Sequence, residues 1–355
     1  MPAAARGDRF AGGGRRGPPA LVWVGNAFGK AAGFLQVREL GTIETPIVLT
    51  DTLAVGTAVD AVVRWTLAQP GHEGVRSVNA VVGETNDGWL HDIRGGHVTA
   101  AHVHEAIAAA RSGPVAEGSV GAGTGTRALG WKGGIGTASR RLPPALGGWT
   151  VGALVQSNFG GVLTIAGVPV GEELGRYAFR DELEEVRGGA AGPSSAPAGP
   201  AEPPAGRLAG PPKPPWEPRT GDGSVMIVLA TDAPLSPRDL ERLAARAILG
   251  LGRVGSFMSH GSGDFVVAFS TAHRLPDPPS AAPVDVPQLA GDALSPLFLA
   301  AVEAVEEAIY NSLLRATTVT GRDGHTSEAI PIDALEEVLC RYGRGQPRSC
   351  GQSFR

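Results

Sequence analysis

The sequence predicts an α/β protein in which a sheet core is sandwiched between helices, with strands from both halves of the chain sharing that core. Three observations carry this. Residues 225–230 form an unbroken apolar run, as expected of a central strand covered on both faces. Two later segments, each opened by Ser-Pro, repeat apolar residues at helical spacing. After Ser236-Pro237 these are Leu240, Leu243, Ala244, Ala247, Ile248 and Leu251; after Ser295-Pro296 they are Phe298, Ala301, Val302, Val305, Ala308, Ile309 and Leu313. In both, the serine reads as an N-cap. Between the halves, residues 187–220 are rich in Pro, Ala and Gly and cannot bury enough apolar surface to offset the entropy of ordering.

Ahead of that linker, residues 46–50 read as a strand. Residues 54–68 read as a helix, because Val55, Ala58, Val59, Val62 and Val63 recur at helical spacing. Further strands are expected at 77–83, 149–156 and 162–165. Behind the linker, strands at 225–230 and 265–269 alternate with the two Ser-Pro helices. A strand as buried as 225–230 does not suit a domain edge, so the linker is expected to be an excursion from one domain. The predicted organisation is a Gly/Arg-rich, mobile N-terminus over residues 1–22 and a single domain over 23–355, with 187–220 as a flexible linker.

Bulk composition narrows the function. Across 355 residues, apolar side chains make up 42% and charged ones 19%, which suits a packed core. The net charge is −4 and no basic stripe is present, which excludes nucleic acid as an expected partner. No apolar run approaches the roughly 18 residues of a membrane helix, so no membrane partner is expected. Residues 1–16 lack the apolar core of a secretion signal, so a cytoplasmic home is expected. Cys340 and Cys350 are the only cysteines; they read as two unpaired thiols and imply no disulfide framework or zinc site.

Gly121-Ala122-Gly123-Thr124-Gly125 lacks both nucleotide-loop spacings and reads as a glycine-rich turn. His102-Val103-His104-Glu105 reads as a surface element rather than a metal site. H-E-x-x-H and G-x-S-x-G are both absent, and no cofactor is expected. What remains are polar residues at the ends of apolar strands. Ser224 opens the 225–230 run just behind the linker, where its hydroxyl is placed to attack its own upstream carbonyl. Gly223 has no Cβ to block that approach. Asn158 ends the 151–157 strand, where its amide is a candidate oxyanion donor. Glu84 stands at a strand end, where a carboxylate suits a substrate ammonium. Ser262 and Asp264 form a hydroxyl–carboxylate pair able to polarise a nucleophile. Each of these residues, alone, also reads as an ordinary turn or loop position.

Together, in this order, they make a pattern. The chain resembles the autoprocessing serine aminopeptidases that include the L-aminopeptidase/D-amino-acid esterases and the β-aminopeptidases. The resemblance runs through 24–30, 46–52, 81–88, Asp92-Ile93-Arg94, 121–140 and 151–160. Beyond the linker it resumes at 221–232, 261–264, 306–311 and 317–325. It implies an αββα sandwich, self-cleavage between Gly223 and Ser224, and two chains that stay in one fold. It also implies roles: Ser224 as nucleophile, Ser262 and Asp264 as its activating partners, Asn158 as oxyanion donor and Glu84 as anchor for the substrate amine. Small peptides, amides or esters would be the substrates, and homo-oligomers of the processed pair the assembly.

Some departures from the family pattern are visible. Some relatives carry Glu where this chain has Asp264. Some place a Tyr hydroxyl in the oxyanion site from just beyond the position of Glu84, whereas the first Tyr here is Tyr177. The segment preceding Val24 in relatives is replaced here by residues 1–21, and the linker is longer than usual. Two alternatives follow: an acyltransferase of the ornithine acetyltransferase kind, which uses threonine as nucleophile, and an inactive scaffold.

Overall fold

The structure is a computed structural model that describes residues 17–189, 223–274, 285–345 and 350. In chain order, the first half contains β1 (Ala20–Ala27), α1 (Phe34–Leu40), β2 (Ile47–Asp51), α2 (Val55–Leu67), β3 (Val81–Thr85) and α3 (Ala100–Ala109). It continues with β4 (Arg127–Ala128), β5 (Trp131–Lys132), β6 (Gly134–Arg141), β7 (Thr150–Asn158), α4 (Val170–Glu173) and α5 (Arg180–Gly189). The second half contains β8 (Ser224–Thr231), α6 (Pro237–Arg253), β9 (Gly263–Ser270), α7 (Ser295–Leu314), β10 (Val319–Thr320), β11 (Thr326–Ser327) and α8 (Ile332–Arg341).

A five-stranded sheet in the order β1-β9-β8-β7-β6 forms the centre, parallel only between β8 and β9. The β8 sequence explains the layering. Val225, Ile227 and Leu229 point to one face and pack with Leu240, Leu243 and Ala247 of α6 and Ala301, Val305 and Ala308 of α7. Met226, Val228 and Ala230 point to the other and pack with Val81 of β3 and with Phe34 and Val37 of α1. The parallel pair β2–β3 thus forms a second sheet layer. Its outer face, through Val48 and Val82, is covered by Ala58, Ala61 and Val62 of α2 and Val103 and Ile107 of α3. Four layers result, helix–sheet–sheet–helix, and the αββα expectation holds.

Several expectations shift. Residues 20–22, expected to be part of the mobile N-terminus, already belong to β1, whose Ala20, Leu21 and Val22 are buried. This strand closes the sheet beside β9, from Ala20 opposite Phe269 to Ala27 opposite Gly263. Residues 1–16 and 190–222, the latter taking in most of the expected 187–220 linker, lie outside the described residues; α5 runs on to Gly189, past the linker's expected start. Residues 162–165 are not a strand, because Val162 and Thr164 bond instead to the carbonyls of Gly255 and Val254. Ser236 caps α6 as expected, accepting from the Asp239 amide at 3.1 Å. Ser295 does not cap α7: a 3₁₀ turn over Gly291–Leu294 leads into the helix, and Ser295 already has helical dihedrals.

Cys340 and Cys350 are joined as a disulfide, which corrects the reading of two unpaired thiols. Strand β6 had no apolar signature because α7 crosses it backbone to backbone. A Cβ at Gly136 would meet the Ala308 carbonyl oxygen at 1.9 Å. No helix among the described residues is long and apolar enough to cross a membrane.

Candidate active site

Three strand ends converge on Ser224. It is the first residue of β8, paired across the sheet with Asn158, the last residue of β7, and with Gly263, the first of β9. Only 4% of Ser224 is exposed, yet it lines a cavity of about 700 Å³. The Gly263 amide lies 3.3 Å from Ser224 Oγ and also donates to the carbonyl oxygen of Gly223 at 3.1 Å. One N–H therefore faces both the hydroxyl and the carbonyl it would attack. Gly223 is required by close packing: a Cβ there would sit 2.1 Å from the Asn158 carbonyl oxygen and 2.6 Å from Phe159 Cα.

Ser262 and Asp264 flank Gly263. Ser262 Oγ donates to Asp264 Oδ1 at 2.7 Å, and Asp264 is wholly buried, with Oδ2 lacking a partner among the described residues. Burial pushes the Asp264 carboxyl up to about 6, opposed in part by the Ser262 hydroxyl. The turn carrying Ser262 is held from β1, because Asn26 Nδ2 donates to the carbonyls of Ser259, His260 and Ser262. Strand β1 thus contributes directly to the arrangement of this pair.

Asn158 is fixed on both sides of its carboxamide. Its Oδ1 accepts from the Arg127 amide at 3.0 Å, and its Nδ2 donates to the Asn86 carbonyl at 2.9 Å. An amide held so firmly has its remaining N–H in a defined direction, the requirement for a preorganised oxyanion donor. The Arg127 amide belongs to β4, which pairs with β5 through Arg127 and Lys132, and Lys132 staples the turns on either side. That lysine is fully buried and donates through Nζ to Gly123 O at 2.7 Å and Gly133 O at 2.8 Å. Burial lowers its pKa to about 8, with the nearby Asp87 charge working in the opposite sense.

Glu84 is 2% exposed at the C-terminal end of β3, and it lines the same cavity. Its Oε1 accepts from the Lys30 amide at 2.8 Å, and its Oε2 accepts from the Thr52 hydroxyl. A buried carboxylate held by a backbone amide and a hydroxyl, and open to a cavity, is suited to an ammonium group. Tyr177 lines the cavity too, although it comes from a segment far from Glu84 in sequence.

All five polar residues proposed from the sequence, with Gly223, therefore meet at one cavity or directly beneath it. Sequence reading did not single out Asn26, Thr52, Asn86, Arg127, Lys132 or Gly263. Gly263 acts through its backbone, and Arg127 holds Asn158 through its backbone, which side-chain patterns do not report. Lys132 alone carried a usable signal, a lysine inside a run of glycines and apolar residues. The glycines of 121–125 form a 3₁₀ turn over Gly121–Gly123, whose Gly123 carbonyl serves Lys132. His102 and His104 lie on helix α3, where His102 Nδ1 caps Thr99 and His104 Nε2 meets the Ala61 carbonyl. No group of three or more His, Cys, Asp or Glu among the described residues is arranged to hold a metal ion.

Comparison with known proteins agrees with this geometry. The sequence is 42% identical to a β-peptidyl aminopeptidase, BapA, of Sphingosinicella microcystinivorans over 93% of this chain and 78% of the relative. A Burkholderia β-aminopeptidase structure superposes with a TM-score of 0.74 at 40% identity, covering 94% of this chain and 84% of that one. The L-aminopeptidase D-Ala-esterase/amidase of Ochrobactrum anthropi, a variant of the Ntn-hydrolase fold, gives a TM-score of 0.77 at 35% identity, with the same coverages. These likenesses define the class, a hydrolase with the αββα architecture of the Ntn type. Residues 12–327 match peptidase family S58, and the chain belongs to that family.

Proposed function

We propose that this protein is a self-processing N-terminal-serine aminopeptidase that releases amino acids from the amino terminus of small peptides, amides or esters. The observation that carries the reading is the shared contact of the Gly263 amide with Gly223 O and Ser224 Oγ. During processing, Ser224 Oγ attacks the Gly223 carbonyl carbon, and negative charge develops on an oxygen that already accepts an N–H bond. The C–N bond breaks, the amide becomes an ester, and water hydrolyses it. This leaves a Gly223 carboxylate and a free Ser224 α-amine, whose ordinary pKa is about 7.7–8.

That amine is a candidate base for the second reaction, alongside the Ser262–Asp264 pair. A substrate ammonium sits on Glu84, Ser224 Oγ adds to the scissile carbonyl, and Asn158 Nδ2 donates to the oxyanion. The leaving amine takes a proton and departs. Water then attacks the acyl-serine and regenerates the hydroxyl. Losing one such oxyanion donor typically costs about 10²–10³ in turnover.

The domain reading joins this proposal: one αββα domain cut between 223 and 224, with both pieces kept together by the shared sheet. A homo-oligomer of processed pairs is the proposed assembly. A cytoplasmic home stays part of this proposal, and the Cys340–Cys350 disulfide, a state that a reducing compartment disfavours, is the feature that bears on it. Ser224 argues against the threonine-based acyltransferase. The names of the relatives suggest the substrates to test: p-nitroanilides of β-alanine, L-alanine and D-alanine. Hydrolysis of at least one, lost in Ser224→Ala, is expected; hydrolysis of none by cleaved protein would overturn the reading.

A further inference from the structure

The cavity wall formed by residues 28–30 enters the chemistry so far only through its backbone. Phe28 N donates to the Ser262 carbonyl oxygen at 3.3 Å, and Lys30 N donates to Glu84 Oε1 at 2.8 Å. This short segment therefore bridges the turn that carries Ser262 and the anchor for the substrate amine. Gly29 lets it lie close against that anchor, since a Cβ there would stand 2.6 Å from Phe265 Cε2 and 3.1 Å from Glu84 Oε1. The side chains of Phe28 and Lys30 are left over, and both line the cavity.

Phe28 is 57% exposed, and Lys30 is exposed with its Nζ 5.1 Å from the Phe28 ring centroid. A ring face orients an ammonium and leaves its charge in place. Among the described residues Lys30 Nζ has no ion pair and no hydrogen bond. By contrast, Arg176, Arg180 and Arg322 of the same cavity are paired with Glu328, Glu184 and Asp323.

The Lys30 charge belongs beside the amine anchor, because the amide of the same residue holds that anchor. A substrate amine on Glu84 thus puts the carbon that bears it next to a positive charge. The group that satisfies both residues is a carboxylate on that same carbon. In an ordinary α-linked substrate this carbon is joined to the scissile carbonyl and carries no free carboxylate. In a β-aspartyl substrate the scissile carbonyl is reached through the side chain, so amine and carboxylate share one carbon.

We propose that Glu84 and Lys30 together bind the zwitterionic head of a β-aspartyl peptide or amide, the amine on Glu84 and the α-carboxylate on Lys30. Ser224 then attacks the side-chain carbonyl, and hydrolysis releases free aspartate and the leaving amine. This rests on the aminopeptidase reading above and names the acyl residue. An exposed ion pair is worth up to about fivefold in affinity, and a hydrogen bond to a charged group about tenfold or more.

The test compares kcat/KM for β-linked p-nitroanilides that differ at one carbon: β-aspartyl, its α-carboxamide counterpart, and β-alanyl, which has hydrogen there. Cleaved wild-type protein is expected to prefer the carboxylate to the carboxamide by about 5- to 10-fold, and to lose part of that preference at high salt. In Lys30→Gln the preference is lost, in Lys30→Arg it is kept, and in Lys30→Glu it reverses. Each ratio is taken within one variant, so a change in overall activity cancels. Suppose the wild-type protein hydrolyses an alanine p-nitroanilide but leaves the β-aspartyl compound uncut, or uses carboxylate and carboxamide alike. Either result overturns this site alone, as does a preference that survives Lys30→Gln. Hydrolysis of no p-nitroanilide by the cleaved wild-type protein overturns the aminopeptidase reading, and this site with it.

Discussion

Asn158 and Ser224 are direct cross-strand partners, the last residue of β7 opposite the first of β8. The pairing sets the candidate oxyanion donor and the candidate nucleophile side by side through sheet register alone. A one-residue slip of either strand would turn its side chain to the other face and separate the pair. The rest of the site is arranged around this pair: Gly263 on the far side of Ser224, and Asn86 and Arg127 on the far side of Asn158.

The first prediction concerns Asp264. If its carboxylate is the form that polarises Ser262, kcat/KM falls as pH drops through about 6, the value to which burial raises it. The same shift acts on stability. Between the unfolded value of about 3.9 and the folded value, the native state binds more protons than the unfolded one. Stability from this group is thus greatest at low pH and is lost as pH rises through that window. The Tm of Asp264→Asn minus that of wild type should therefore increase from pH 4 to pH 7; a flat or falling difference contradicts the assignment.

Glu84→Gln separates the two reactions. Self-cleavage involves no free amine, so processing should run at the wild-type rate, measured by intact mass over time. Hydrolysis of amino-acid p-nitroanilides should fall about 10- to 100-fold in kcat/KM, the worth of a hydrogen bond to a charged partner. Loss of processing in this variant would show that Glu84 is needed for the fold or for the serine rather than for the amine.

Gly223→Ala places a methyl group 2.1 Å from the Asn158 carbonyl oxygen, so the junction must shift. Overpacking of this kind costs about 1–3 kcal/mol, and here the strain falls on the bond to be cut. Processing should slow at least tenfold while circular dichroism remains that of a folded α/β protein. Cleavage at an unchanged rate would remove the close-packing argument.

Cys350→Ser opens the link to Cys340 at the end of α8. The small closed loop predicts a loss of about 2–3 kcal/mol and a Tm lower by a few degrees. Neither cysteine lines the cavity, so kcat/KM should be unchanged. A fall in activity at constant Tm would mean that α8 couples to the site.

The sequence made the buried β8 run and the two long helices legible because each buries a face that composition reveals. Ser224, Asn158, Glu84, Ser262 and Asp264 were visible as polar residues at strand ends, and family resemblance turned separate weak signals into one pattern. β1 and β6 were hidden, the one by Gly25 and Asn26 and the other by Gly136, which lets α7 approach, and Gly134, which lets the Gly118 backbone approach. The second layer of the site was hidden for a different reason. Arg127 and Gly263 contribute backbone N–H groups, and Lys132 acts on carbonyls of glycines, so no side-chain pairing in the sequence announces them.

The most direct test of the account is the intact mass of purified wild-type protein beside Ser224→Ala. The account predicts two fragments in the wild type, residues 1–223 and 224–355, and a single uncut chain in the variant. An uncut wild-type chain, or a variant that still splits at this bond, would contradict it.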